Sequence, residues 1–137
     1  MENALDVAAA GRMLEELFAP WVQALGLRVE AIGGGEATLV LPFDPTLSRV
    51  GGIVCGQAMM AAADTAMVLA VSSQLGGFRP MTTVSLNTSF MRAAAGTDLR
   101  VTARVLKPGR SLMFGEVVLE DGEGRRVAHA TTTYALV

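Results

Sequence analysis

The chain has 137 residues, a length that suits one domain with a single sizeable core. Apolar residues make up 51% and charged residues only 18%, against about 25% in an average globular protein, which excludes a disordered chain. The net charge is −2 with Arg and Lys dispersed, so no basic stripe is offered to a nucleic acid, and the single Cys55 excludes an intrachain disulfide. The N-terminal run MENALDVAAAGRMLEEL carries acids where a secretory leader carries bases, and a cytoplasmic protein is the expectation. The high apolar content also points to surface covered by a partner subunit.

In chain order, Leu14, Leu17, Phe18, Trp21 and Leu25 recur at helical spacing and predict a helix packed on the body of the domain. Pro20 should kink or divide it, and Gly26 should stop it. Residues 27–32 and 36–43 predict two strands around the break Gly33-Gly34-Gly35, with Pro42 at an end or an edge. The segment FDPTLSRVGG reads as a loop. From Gly56 to Leu75 a helix is predicted, bracketed by Gly51-Gly52 and Gly76-Gly77 and apolar nearly all round, hence buried on most sides. Its most apolar stretch, 58–71, is shorter than the roughly 18 to 20 residues of a membrane span and is interrupted by Asp64. Gln57 and Asp64 stand about two turns apart and share a face.

Beyond the helix, Val84, Leu86 and Phe90 alternate with Thr83, Ser85, Asn87 and Ser89, predicting a strand with one apolar and one polar face. Leu99, Val101, Ala103 and Val105 repeat the pattern, and Lys107-Pro108-Gly109-Arg110 makes a turn into a strand at 112–120. Asp121-Gly122-Glu123-Gly124 is a hairpin signal before a last strand at 126–136. Short connections favour antiparallel neighbours. The outline is an α+β domain over 1–137, with an N-terminal helix and an antiparallel sheet of five to six strands wrapped around one long helix.

A carboxylate halfway along an apolar helix is expensive to bury, so Asp64 must have a partner, reach water at a pocket or take up a proton. It is a candidate for chemistry; the plainer reading is an Asp that hydrogen-bonds a neighbouring loop or strand. VGGIVCGQAMMAAADTAMVLAV, from Val50 to Val71, resembles the phenylacetate-type hot-dog thioesterases, in which His-Gly-Gly is followed six residues later by a catalytic Asp and a small residue. Here Cys55-Gly56-Gln57 stands at the triplet and Asp64 at the matching spacing. The order continues through TTVSLNTSFMRAAAG, the Gly-Arg turn and the late Asp-Gly hairpin, so the resemblance spans about residues 25–137.

That resemblance implies an acyl-coenzyme A thioesterase of hot-dog fold. The Gly56 amide, at a helix N-terminus that favours negative charge, would polarise the thioester carbonyl. Asp64 would act as general base or nucleophile, and Thr83 would hold the attacking water, although an ordinary strand Thr reads the same way. It implies sites between two subunits of a homodimer or homotetramer, with coenzyme A part of the substrate and no separate cofactor. The chain departs from the pattern at Cys55, at Gln57 and at Arg49, where relatives carry Asn. Cys55 is a small buried residue or a thiol activated at the helix N-terminus. Gln57 could hydrogen-bond the thioester or a water. Arg49 is a solvated loop residue or a ligand for a substrate phosphate or carboxylate.

Arg92, Lys107 and Arg110 are candidates for the coenzyme A phosphates, and Asn87 for a further substrate contact. His129 reads as a structural strand residue. Met59, Met60 and Met67 line either an acyl tunnel or the core. No metal-ligand spacing and no phosphate-binding glycine loop is present. Two functions fit: hydrolysis of a small aromatic or short- to medium-chain acyl-CoA, and non-catalytic binding of acyl-CoA or an acyl carrier on the same fold.

Overall fold

The computed structural model describes residues 5–137. Helix α1, Val7–Glu16, is capped by Asp6, whose carboxylate accepts from the Ala9 amide at 2.8 Å. Pro20 divides the N-terminal helix. It occupies the first position of a separate short helix, α2 (Pro20–Gln23), where its missing N–H leaves nothing unpaired. The division breaks the apolar stripe: Leu14 and Phe18 pack on the core, whereas Trp21 turns outward and is 64% exposed.

Strands β1 (Arg28–Gly33) and β2 (Glu36–Leu41) form the expected hairpin, with a bulge between Val29 and Ala31. The segment read as a loop holds a 3₁₀ turn, Pro45–Leu47, and a miniature hairpin of β3 (Ser48–Arg49) and β4 (Ile53–Val54). Two-residue strands are too short to show any periodicity in sequence. Helix α3, Gly56–Leu75, follows, ending at Gly76 in the left-handed conformation. Then come β5 (Met81–Phe90), β6 (Leu99–Pro108), β7 (Leu112–Glu120) and β8 (Arg126–Leu136). The six long strands make one antiparallel sheet in the order β1-β2-β6-β7-β8-β5.

The sheet wraps α3, which packs mainly on β6, β2 and β7 and only lightly on β5 and β8. Ala62, Ala63, Ala66, Leu69, Ala70 and Val71 are fully buried against Leu39, Leu99, Val101, Val117 and Leu119. The many alanines let the strands approach closely, and the hydroxyls of Thr65 and Ser72 turn back to the carbonyls of Ala61 and Val68 at 2.8 Å. At 20 residues α3 is long and apolar enough to cross a membrane by length and composition, so the shorter run 58–71 understates it. Its packing inside the sheet makes it the core helix of this fold. Helix α3 is not covered all round, however: Gln57, Met60, Ala61, Asp64 and Val68 form a stripe left partly open to solvent.

The alternation predicted for β5 is corrected by a bulge. Thr83 pairs with Tyr134 and Ser85 with Thr133, so Val84 is an extra residue without a partner on β8. The pleat changes phase there. Thr83, Leu86, Thr88 and Phe90 face inward, toward α3, and Ser85, Asn87 and Ser89 face outward.

Candidate active site

Asp64 is half-buried on the open stripe of α3, and two hydroxyls converge on it from the sheet. Thr83 donates from Oγ1 to Oδ1 at 2.9 Å. Tyr134, 1% exposed on β8, also donates to Oδ1 and lies 2.9 Å from the main-chain carbonyl of Asp64. Burial and the Asp64 charge hold the Tyr134 phenol far above its ordinary range, so it remains a protonated donor. Both donors sit on the same oxygen. Among the described residues none reaches Oδ2, which leaves it free toward the open side of the helix.

Asp64 and Thr83, the latter a candidate through the family resemblance, are thus in direct contact. Tyr134 is the residue that sequence reasoning misses. It is the chain's one tyrosine, on an inward position of the last strand, but its meeting with Asp64 depends on the β5–β8 register, and the bulge at Val84 hides that register.

Gly56 begins α3, where the first amides have no partner inside the helix. The Phe90 ring lies across it: a Cβ at position 56 would stand 3.1 Å from the ring, so only glycine keeps both the ring and the approach to the amide. Gln57 is exposed on the next position and Cys55 is the half-buried N-cap, packed against the core with no capping hydrogen bond from its side chain. Gly56 and Asp64 are eight positions apart on a straight helix, about 12 Å along its axis. Within one chain they cannot attend the same carbonyl.

The remaining candidates divide. Arg49 on β3 and Arg92 just beyond β5 line one cavity of about 420 Å³ that also holds Gly56. Lys107 and Arg110 lie at the β6–β7 turn, level with the start of β5 and so at the opposite end of that strand, about 30 Å from Arg92. Within a single chain Arg92 therefore lies apart from those two. Asn87 faces outward, within 3.5 Å of the Ser85 hydroxyl, because of the bulge. Met59 and Met67 are buried in the core and Met60 stands on the open stripe. His129 is on the outer face, its Nε2 3.0 Å from Glu116 Oε1, which agrees with a structural role. A second cavity, about 400 Å³ between α1, α2 and β1, contains none of these groups.

Comparison with known proteins places this arrangement. The sequence profile of the thioesterase superfamily matches residues 51–128, from the loop before α3 into β8. A Thermoplasma volcanium protein with a provisional esterase name is 33% identical, the match covering 92% of this chain and 96% of that one. A conserved protein of Pseudomonas aeruginosa superposes with a TM-score of 0.83 at 31% identity, covering 90% of this chain and 98% of its own. The phenylacetic acid degradation protein of Thermus thermophilus, in a mutant form, superposes at 0.77 with 26% identity over 87% of this chain and 100% of its own. By profile match, relatives and hot-dog architecture together, the chain belongs to the thioesterase superfamily and is a thioester hydrolase.

Proposed function

We propose that the protein hydrolyses acyl-coenzyme A thioesters with a small aromatic or short- to medium-chain acyl group, and that Asp64 is its catalytic carboxylate. The observation that carries this reading is the one-sided support of Asp64: Thr83 and Tyr134 both hold Oδ1, and Oδ2 is left free. A carboxylate so held is fixed in orientation through one oxygen and presents the other to the reaction.

In the reaction Oδ2 takes a proton from water, whose oxygen attacks the thioester carbon, or attacks that carbon itself. The carbonyl π electrons move to oxygen, and the oxyanion accepts a hydrogen bond from the Gly56 main-chain N–H. Collapse of the tetrahedral species breaks the C–S bond, and the coenzyme A thiolate leaves and takes a proton. Where Asp64 attacks directly, water then hydrolyses the acyl-carboxylate anhydride. The steps use side chains, an amide and water, with no separate cofactor. Gln57 stands beside the Gly56 amide and can hydrogen-bond the thioester. Cys55 contributes its backbone as N-cap, and its half-buried side chain packs against the core.

The distance between Gly56 and Asp64 supports a homodimer with shared sites. Strand β5 is an edge of the sheet, and its ten residues, MTTVSLNTSF, include no charge and no proline to discourage pairing. Val84 and Phe90 on it are 60% and 50% exposed. Antiparallel pairing of β5 with its copy about a two-fold axis near Leu86 and Asn87 sets Thr83 opposite the second copy's Phe90. Since Thr83 touches Asp64 and Phe90 lies on Gly56, each Asp64 then meets the amide of the other chain. Lys107 and Arg110, at the Asp64 end of the sheet, serve the nucleotide phosphates. Association of two dimers gives a tetramer, and the protein works in the cytoplasm.

The test is Asp64→Asn, which keeps size and most hydrogen bonding but removes the base. On a panel of acyl-CoAs we expect kcat to fall by about 10³-fold with unchanged thermal stability. Turnover equal to that of the wild type would sink the assignment.

A further inference from the structure

We propose that the cavity beside Gly56 is the acyl pocket and that Arg49 and Arg92 make the protein selective for an acyl group ending in a carboxylate. This rests on the reading of Gly56 as the amide that binds the thioester carbonyl. Gly56 itself lines the cavity of about 420 Å³, so a group attached to a carbonyl carbon bound at its amide can enter it. Its walls include Ile53, Met59 and the Phe90 ring, apolar surfaces suited to methylenes.

Arg49 and Arg92 line the same space, and no acidic residue lines it. Among the described residues neither Arg49 nor Arg92 forms an ion pair, whereas Arg100, Arg104 and Arg125 all do. The one hydrogen bond of the Arg49 side chain is to the neighbouring Val50 carbonyl at 3.3 Å, a weak tether that leaves most of its donors unused. Two cations lining one cavity without a counter-ion repel each other. A carboxylate arriving at the far end of a short acyl chain relieves that repulsion and accepts charge-assisted, planar hydrogen bonds. The phosphates of coenzyme A are the competing anion, because pairing of β5 with its copy brings Arg92 to the end of the sheet where the second copy's Lys107 and Arg110 stand.

The experiment separates the two anions by using thioesters of N-acetylcysteamine, which carry no phosphate. Glutaryl and valeryl thioesters match in chain length and differ in the terminal carboxylate. We expect the wild type to prefer the glutaryl thioester at least tenfold in kcat/KM. In Arg49→Gln/Arg92→Gln that preference should collapse, mainly through a raised KM for the glutaryl substrate, and Arg49→Lys/Arg92→Lys should recover part of it. Both arginines are exposed, and melting curves establish that the variants fold. Equal rates on the two thioesters in the wild type would overturn the proposal. So would a loss in the double Gln variant seen only with coenzyme A substrates, which would assign the arginines to phosphates. In either case hydrolysis abolished by Asp64→Asn would leave the catalytic reading standing, so the two failures are distinguishable.

Discussion

Two carboxylates on the inner and outer sides of this sheet are held in opposite ways. Asp64, on α3, receives hydroxyls from Thr83 and Tyr134 on a single oxygen and no cation. Glu116, on β7, has both oxygens engaged, by Arg104 Nη2 at 2.6 Å and His129 Nε2 at 3.0 Å. The His129 and Arg104 hydrogen bonds hold the Glu116 carboxyl below its ordinary range. A carboxylate with both oxygens engaged, one of them by a guanidinium, is fastened and has little basicity to give. One aimed through a single oxygen, with the other left over, has an atom to offer a reaction. One stands on the enclosed helix and the other on a strand of the sheet, and the chemistry of their partners differs as well.

The contrast is broken most severely by removing the buried donor. Tyr134→Phe leaves Asp64 oriented by Thr83 alone and should lower kcat by about 100-fold, with KM nearly unchanged, in steady-state assays. Thr83→Val removes the weaker, more exposed donor, and a loss of about tenfold is expected. If either variant kept full activity, the one-sided support of Asp64 would be irrelevant to its chemistry. On the outer face Glu116→Gln should change kcat by less than about twofold, and lower Tm by about 3 °C or less near neutral pH. Because the folded Glu116 carboxyl lies below its ordinary value near 4.5, its stabilisation is complete above that value and is lost as pH falls through the folded one. The gap in Tm between wild type and Glu116→Gln should therefore close on acidification. A gap that widened in acid would contradict the ion-pair account.

Much of the site is readable in sequence because it lies on one helix. Glycines bracket Gly56–Leu75, and a lone Asp in an apolar run is conspicuous whatever surrounds it. Thr83 was within reach too, since it stands at the start of the next strand. Tyr134 was not, because its role arises from a pairing 70 residues away in sequence. A single bulge at Val84 decides that pairing and turns Asn87 to the wrong face. Bulges leave no mark in an alternating pattern of Thr, Ser and Val, where either phase is plausible. The division at Pro20 was legible, but the exposure of Trp21 that follows from it was not, because the direction of a four-residue helix is set by packing.

The central claim is that Asp64 of one copy works with the Gly56 amide of the other, and complementation tests it most directly. Asp64→Asn and Gly56→Val, each dimeric and inactive alone, are unfolded together in equal amounts and refolded so that subunits exchange. Each mixed dimer then pairs one intact Asp64 with one intact Gly56 across the two-fold axis, and acyl-CoA hydrolysis should return to about a quarter of the wild-type rate. A mixture that forms dimers and stays inactive would contradict the shared site.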